Sequence, residues 1–301
     1  MTFRLGVDGG ASKTDCILVD DSGAIAFRHL APGCNPNVVG VETARGIMDE
    51  ALRELRAAAG GADPGHTVSA ALFCMAGPAE FWREFAARAK DCGRALAVDD
   101  SLPVLELATA GKPGLVLHAG TGSFVAARTD SDLLGGAHYA GGLGWRFGDP
   151  GSGYDLGRLA IERALLEMQG WLPPSGLGAL VRGQTGFGDA GAVTRHYYAI
   201  PSPNAAVVAL APAVLGLAGE GDPAAGRIME ASTGGLLALA ARVAERLFPK
   251  VPAGSIRAGI SGPILTHPAV MPSLIRRCPL SLHAVGGSPI EGVRRMLLRM
   301  G

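Results

Sequence analysis

The chain has 301 residues, of which 48% are hydrophobic and 18% charged, which excludes an intrinsically disordered protein and leaves room for two lobes. Its 27 basic and 27 acidic residues cancel, so the charge favours neither nucleic acid nor an anionic membrane as a partner. Apolar stretches stay below the roughly 18 to 20 residues that span a bilayer, and the five cysteines are scattered and odd in number. We therefore expect a cytoplasmic protein with reduced thiols.

The first segment of the chain predicts two strands joined by a turn that can hold an anion. Apolar runs over 3–8 and 14–20 flank a turn with an acid, two glycines, two hydroxyls and a lysine: Asp8, Gly9, Gly10, Ser12, Lys13 and Thr14. Because glycine has no Cβ, backbone N–H groups can approach an anion, and the polar side chains can bond its oxygens. Asp8, at the end of the first strand, is placed to hold a metal ion beside that anion. The turn is not a Walker loop, since the G-x-x-x-x-G-K-[ST] pattern is absent, and Lys13 could equally be a solvated turn lysine.

Two further strands end at residues with special chemistry. A buried strand over 68–74 is followed by Gly77, and a strand over 96–98 delivers Asp99 and Asp100 at its carboxyl end. Neighbouring side chains of an extended backbone point in opposite directions, so Asp99 is expected to face away from Asp100. Asp100 is the candidate general base, and its alternative role is to cap the helix that follows.

The pattern of strand, glycine–hydroxyl turn and strand recurs over 115–127. Its turn consists of Gly120, Thr121, Gly122 and Ser123. One such turn could be an ordinary hairpin, but two that each open a series of strands and helices favour a pair of anion-binding turns. Helices over 154–248, strands over 255–260 and 280–285 and a last helix over 287–299 complete the second half.

Each half therefore begins with strands and continues with alternating helices and strands. This arrangement predicts a duplicated α/β unit whose mostly parallel sheet is covered by helices. Ligands of such sheets bind outside the carboxyl ends of the strands. We expect the turns at these strand ends to face one cleft: Asp8, Gly77, Asp100, Gly120 and Gly262.

These motifs resemble the actin, hexokinase and Hsp70 ATPase superfamily, and within it the N-acetylglucosamine kinase branch of the BadF/BadG/BcrA/BcrD ATPase family. Four runs, in this order, are similar to the family's two phosphate segments, its G-D-E-G-S-G segment and its adenosine segment: 6–14, 120–123, 148–153 and 260–263. The resemblance implies a duplicated ribonuclease-H-like (actin-like ATPase) fold of two lobes, 1–112 and 113–301, around a central cleft. It also implies a last helix that packs back on the N-terminal lobe.

The same resemblance implies the reaction. It is the ATP-dependent phosphorylation of an amino sugar, N-acetylglucosamine at its 6-hydroxyl, with Mg²⁺ as cofactor, in a homodimer. Glucosamine is the nearest alternative substrate. A second class in the same family, ATPases that activate iron–sulfur acyl-CoA reductases or dehydratases, needs cysteine ligands for a cluster. A sugar sensor without catalytic activity is a third reading.

The resemblance also implies a role for each candidate residue. Asp100 would deprotonate the sugar hydroxyl, and Asp8 would bind Mg²⁺ through water. The first turn and Gly120, Thr121, Gly122 and Ser123 would bind phosphates, Gly262 would lie against adenosine, and Asn35, Gly77 and Asp149 would bind the sugar. Asn37 competes with Asn35, and Asp149 could instead cap the helix that begins near Ser152. Pro150 and Leu143 replace the family's usual glutamate and tryptophan near the expected sugar pocket.

Overall fold

The computed structural model describes residues 2–60, 67–89, 91–132 and 136–300 of the chain. The chain forms two compact units. The first contains Met1–Lys112, Asp130–Ala137 and Val285–Gly301, and the second contains Pro113–Thr129 and His138–Ala284. The C-terminal segment is therefore part of the first unit.

The first third of the chain supplies most of the first unit. Its strands and helices are β1 (Thr2–Gly9), β2 (Lys13–Val19), β3 (Ile25–Pro32), α1 (Pro36–Val39), α2 (Val41–Gly60), β4 (Thr67–Met75), α3 (Ala79–Arg88), β5 (Arg94–Asp99) and α4 (Leu102–Thr109). The strands form one sheet in the order β3-β2-β1-β4-β5. β1 pairs antiparallel with β2 and parallel with β4, and β4 pairs parallel with β5. The strands β1, β4 and β5 therefore end at the same edge of the sheet.

The rest of the chain supplies the second unit and one final helix. Its elements are β6 (Gly114–Ala119), β7 (Ser123–Arg128), β8 (His138–Gly141), α5 (Gly153–Met168), α6 (Gly176–Thr185), α7 (Ala190–Ala199), α8 (Asn204–Val208), α9 (Ala211–Gly219), α10 (Pro223–Leu247), a 3₁₀ turn (Ala253–Ser255), β9 (Arg257–Ser261), α11 (Met271–Arg277), β10 (Ser281–Ala284) and α12 (Pro289–Arg299). The second sheet has the order β10-β9-β6-β7-β8. As in the first sheet, the two strands on one side of the central strand are joined by antiparallel pairing, and the two on the other side by parallel pairing. The predicted duplication of an α/β unit is confirmed.

Each unit has its own apolar core. In the first unit, α2 places Met48, Leu52 and Leu55 on one face, at helical spacing, against buried strand residues such as Val7 and Phe73. In the second unit, buried side chains of α5, α6, α7, α9 and α10 form one apolar cluster with those of β6, β7 and β9, and α10 packs on the sheet. Burial of this apolar surface is the main force that holds each unit together.

Helix α12 packs on α4 and β1, within the first unit. It buries Ile290, Val293, Met296 and Leu297 on one face. The approach to α4 is close: a Cβ on Gly292 would lie 2.1 Å from the carbonyl oxygen of Pro103. Only glycine fits at this point of contact.

No single helix within the described ranges is both long and apolar enough to cross a membrane. The bent pair Asn204–Gly219 and Pro223–Leu247 passes that test only when its two parts are counted together, by length and composition.

Candidate active site

The sheet of the first unit brings several of the candidate residues to one edge. The parallel register places Gly9 beside Met75, and Met75 beside Asp99, at the carboxyl ends of β1, β4 and β5. The first turn, Gly77 and Asp100 each follow one of these strand ends. Because hydrogen-bonded strands lie roughly 5 Å apart, the three positions form one short row. This is the edge at which open α/β sheets bind their ligands.

The first turn presents two unused backbone donors. The N–H of Gly10 donates to the carbonyl of Lys13 over 2.9 Å and closes the turn. The N–H groups of Ala11 and Ser12, both exposed residues, donate to no residue in the described part of the chain. Such a pair of free donors in a tight turn is suited to an anion.

Two residues of the first turn have structural roles that the sequence did not predict. Thr14 is fully buried, and its hydroxyl donates to the carbonyl of Pro32 over 2.8 Å, so it joins β2 to β3 and is not available to a phosphate. Gly9 is buried too, and a Cβ there would lie within 2.7 Å of the Met75 sulfur. The prediction that Thr14 and Gly9 themselves contact phosphate is not supported by these positions.

Asp8 lies in a partly buried position that disfavours its charge. The pKa of Asp8 is raised to about 6, chiefly by burial and also by the negative charge of Asp15, while the nearby Lys13 opposes the shift. Asp15 is itself held by Arg28, whose Nε donates to it over 2.8 Å. Lys13 is exposed, and its charge is close enough to affect the Asp8 carboxyl.

A magnesium ion bound through water fits these groups. Mg²⁺ keeps several of its waters and is usually held by one or two protein carboxylates. The described residues contain no group of three or more histidine, cysteine, aspartate or glutamate side chains that could cage a metal. Asp8 offers one carboxylate whose pKa is raised, and a nearby divalent cation would favour its charged form.

Asp99 and Asp100 form a pair of interacting carboxyl groups. The Asp99 carboxylate accepts the N–H of Ser101 over 2.9 Å, so Asp99, and not Asp100, satisfies a donor at the start of α4. The pKa of Asp100 is raised to about 7, chiefly by burial and also by the charge of Asp99 and a hydrogen bond to its carboxyl. The expectation that Asp99 faces away is wrong, because β5 ends at Asp99 and the strand alternation stops there. The alternative role of Asp100 as a helix cap is taken by its neighbour.

Asn35 and Gly77 are adjacent in the first unit. Asn35 caps α1, where its Oδ1 accepts the N–H of Asn37 over 3.0 Å. A Cβ on Gly77, whose φ is +108°, would lie 2.7 Å from that same Oδ1. The Asn35 amide nitrogen donates to none of the described residues, so one donor remains at this place. Asn37 is exposed and contributes its backbone to the cap.

The turn of the second unit repeats the features of the first. The N–H of Gly120 donates to the carbonyl of Gly122 over 2.9 Å, while those of Thr121 and Gly122 find no acceptor among the described residues. Ser123 is buried and its hydroxyl donates to the carbonyl of Pro150 over 2.7 Å, so its predicted contact with phosphate is not supported. In each turn a hydroxyl near the start of the second strand is used inside the protein, and two backbone N–H groups stay free.

Asp149 lies directly against the second turn. It is only 5% exposed, and a Cβ on Gly122 would lie 2.9 Å from its Oδ2. Its Oδ1 is buried without a hydrogen-bond partner in the described chain, and burial raises the pKa of Asp149. The helix α5 is capped by Ser152, which accepts the N–H of Asp155, so the side chain of Asp149 is not needed as a cap. An unpartnered buried acceptor is suited to a ligand hydroxyl.

Gly262 follows β9, beside the end of β6. Its φ is +89°, and a Cβ there would lie 2.2 Å from the carbonyl oxygen of Ala119. The packing of these two strand ends therefore explains the glycine, and the adenosine contact stays a prediction. Leu143 is exposed, and Pro150 lies beside Gly235, where a Cβ would meet the proline ring at 2.8 Å.

The sequence did not predict the part that Asp99 plays beside Asp100. The signal was present: an aspartate two residues before the serine that opens a helix is a typical acceptor for its N–H. This local pattern, and not strand alternation, determines where the Asp99 side chain lies.

Comparisons with known proteins give one family match and several matches of fold. The model of the BadF/BadG/BcrA/BcrD ATPase family matches residues 5–251. A crystal structure named "Putative N-acetylglucosamine Kinase" from Chromobacterium violaceum aligns with a TM-score of 0.73 at 24% identity, covering 98% of both chains. A protein of the same name from Porphyromonas gingivalis aligns with a TM-score of 0.69 at 24% identity, covering 97% of this chain and 98% of the other. A ROK family transcriptional regulator, homologous to the E. coli MLC protein, aligns with a TM-score of 0.55 at 14% identity, covering 99% of this chain and 80% of the other. None of the curated protein sequences matches this chain.

Proposed function

Because this chain belongs to the BadF/BadG/BcrA/BcrD ATPase family, we propose that it is an ATP-dependent kinase that phosphorylates N-acetylglucosamine at the 6-hydroxyl. The observation that carries the proposal is the row at the edge of the first sheet: a turn with free backbone donors, Gly77 and the half-buried Asp100. Two solved structures with the same fold carry the name N-acetylglucosamine kinase, which supports this choice of substrate.

Asp100 would act as the general base. With a pKa of about 7, it can accept a proton from a sugar hydroxyl near neutral pH. Its carboxyl is not used to cap α4, because Asp99 accepts the N–H of Ser101. The hydroxyl oxygen would then attack the γ-phosphate of ATP in line, and ADP would leave.

The two glycine turns would stabilise the phosphates. Each turn offers two free N–H donors, from Ala11 and Ser12 in the first and from Thr121 and Gly122 in the second. Fixed donors of this kind need no reorganisation as charge develops on phosphate oxygens. Mg²⁺, held through water by Asp8, would neutralise part of the same charge.

The amide of Asn35 and the carboxylate of Asp149 would bind the sugar. The free amide nitrogen of Asn35 can donate to a hydroxyl, and the bare backbone at Gly77 would allow the ring to approach. The unpartnered Oδ1 of Asp149 can accept from a hydroxyl. Glucosamine would use the same hydroxyl contacts and stays the nearest alternative substrate.

The cysteines do not favour an activator of iron–sulfur enzymes. Cys16, Cys34, Cys74 and Cys92 are buried, and Cys278 is half-buried. Burial raises the pKa of the Cys74 thiol well above its usual range, which opposes the thiolate that a cluster needs.

The homodimer stays a prediction, to be checked by light scattering.

The proposal is tested by measuring ATP turnover with N-acetylglucosamine, glucosamine, N-acetylmannosamine and glucose. We expect the highest kcat/KM with N-acetylglucosamine, and a fall in kcat of at least about 10²-fold in Asp100→Asn with sugar binding retained. Asp189→Asn, at the cap of α7, is the matched control, because asparagine caps as well as aspartate. No turnover with any sugar, or near-normal turnover in Asp100→Asn, would reject the mechanism.

A further inference from the structure

The first unit contains a cavity that the proposed reaction does not use. It lies between α2 and α3 and has a volume of about 380 Å³. Its walls carry an unusual number of guanidinium groups, and the polar and aromatic side chains that line it are Arg45, Asp49, Arg53, Arg56, Phe85 and Arg88. The candidate active site, in contrast, lies at the carboxyl ends of β1, β4 and β5.

Arginines outnumber carboxylates in the described lining of the cavity. Four arginines line it against the single carboxylate of Asp49, counted among the described residues. Two of the arginines have exposed partners outside this lining: Glu50 pairs with Arg53, and Glu84 pairs with Arg88 over 3.2 Å. Exposed ion pairs of this kind are weak, so a ligand with more charge can displace them.

Arg45 is the most informative of the four. Its guanidinium lies over the ring of Phe81, with Cζ 5.5 Å from the ring centre, which fixes its orientation. Its Nε is buried and has no hydrogen-bond partner in the described chain. It also makes no ion pair with a described carboxylate. A buried donor of a cationic group is rarely left unpaired in a folded protein, so it indicates a binding partner.

The chemistry of the lining selects the class of ligand. A guanidinium presents a rigid fork of donors that matches phosphate and carboxylate oxygens. The volume exceeds what a bare inorganic ion fills, and Phe85 with Leu52 provides an apolar wall for an organic group. We propose that this cavity binds a small organic phosphate through Arg45 and the neighbouring arginines.

The position of the cavity connects it to two residues of the candidate active site. Arg45 lies in the first part of α2, which follows directly on α1 and its cap Asn35. Phe81 lies in the first turn of α3, shortly after Gly77. A ligand that orders these two helix starts would contact the elements that hold Asn35 and Gly77.

Binding is tested by calorimetry with phenyl phosphate and inorganic phosphate on the full chain at low salt and without nucleotide, because ATP carries phosphates that the cavity could also hold. We expect phenyl phosphate to bind more tightly than inorganic phosphate, and Arg45→Gln to weaken binding at least about tenfold. Arg83→Gln, an exposed arginine of α3 that does not line the cavity, is the control and should leave affinity within about twofold.

Arg45→Lys separates charge from geometry, since lysine keeps the charge and loses the fork. A loss close to that of Arg45→Gln supports bidentate recognition. The proposal is overturned if the wild-type protein binds neither anion, if Arg45→Gln binds as well as wild type, or if Arg83→Gln loses as much. Because the readout is binding and not turnover, the result does not depend on the identity of the sugar. Melting curves of each variant establish that it is folded.

Discussion

At the scale of single residues, the carboxyl pair of Asp99 and Asp100 determines how the proposed base responds to pH. Asp100 must lose its proton before it can accept one from the sugar, and its pKa is about 7. The charge of Asp99 and a hydrogen bond to it favour the protonated form of Asp100. The group that raises this pKa is a neighbour in sequence, so it can be changed by one substitution.

We predict that kcat/KM of the wild-type protein falls as the pH drops below about 7, and that Asp99→Asn moves this fall to lower pH by about one unit. Asparagine removes the negative charge and can donate to the Asp100 carboxylate, and both effects lower the pKa. Its Oδ1 can still accept the N–H of Ser101, so α4 keeps its cap. The substitution leaves Asp8, whose charge also raises the pKa of Asp100, and Asp15, which acts on Asp8, unchanged. If kcat/KM falls at the same pH in the variant and the wild type, Asp99 does not act on the base.

Candidate residues could be predicted from the sequence where their role depends on the local backbone. They could not be predicted where the role depends on which distant segments pack together. Glycine turns after apolar strands are local features, so the two turns could be located without a structure. The hydroxyls of Thr14 and Ser123 were predicted to face phosphate, but each donates to a carbonyl of a segment distant in sequence, Pro32 or Pro150. A partner that the fold brings close cannot be read from local spacing.

At the scale of elements, two glycines in helices have opposite meanings. Gly46 lies in α2 and a Cβ there would meet nothing within 4 Å, whereas a Cβ on Gly292 in α12 would meet the backbone of Pro103 at 2.1 Å. Glycine weakens a helix through its freedom in the unfolded chain, unless close packing requires it. The first glycine is therefore a cost to stability and the second is a requirement of packing.

We predict that Gly46→Ala raises the free energy of unfolding by about 0.5 to 1 kcal/mol, because alanine has less freedom to lose. Gly292→Ala should lower it by about 1 to 3 kcal/mol, because α12 must move away from α4. Urea titration followed by circular dichroism measures both. Equal stability of Gly292→Ala and the wild type would mean that α12 is free to shift without loss.

The elements themselves were predicted well where an apolar run extends over several residues, as in β1 and β4. The strand β8 was missed, because its four residues, His138–Gly141, are too few to establish an alternation and run into glycines. The short helix α1 was not predicted either, for a similar reason. It consists of one turn, started by the cap of Asn35 and by a proline.

At the scale of the whole molecule, the chain passes from the first unit to the second and returns. A division of the sequence at residue 113 leaves α12 with the second half, but the helix packs within the first unit. Two adjacent leucines of α12 lie on different faces of the helix: Leu297 is fully buried, and Leu298 is 38% exposed. The two leucines can therefore report whether α12 holds the first unit together.

We predict that Leu297→Ala destabilises the protein by about 2 to 5 kcal/mol, since it leaves a cavity against the first core. Leu298→Ala should cost no more than about 1 kcal/mol. Limited proteolysis with mass spectrometry should find the new cuts of Leu297→Ala within the first unit before the second. Cuts that begin in the second unit would contradict the assignment of α12.

The return of the chain to its first unit also orders events at the ribosome. A growing polypeptide emerges from its N-terminus at roughly 5 to 20 residues per second and folds unit by unit as it appears. The β1–β5 sheet emerges before the second unit, yet the helix that covers Gly6 and Pro103 is made after that unit. The second unit can thus complete its fold first, while the first unit keeps an apolar face exposed to chaperones until α12 has been translated.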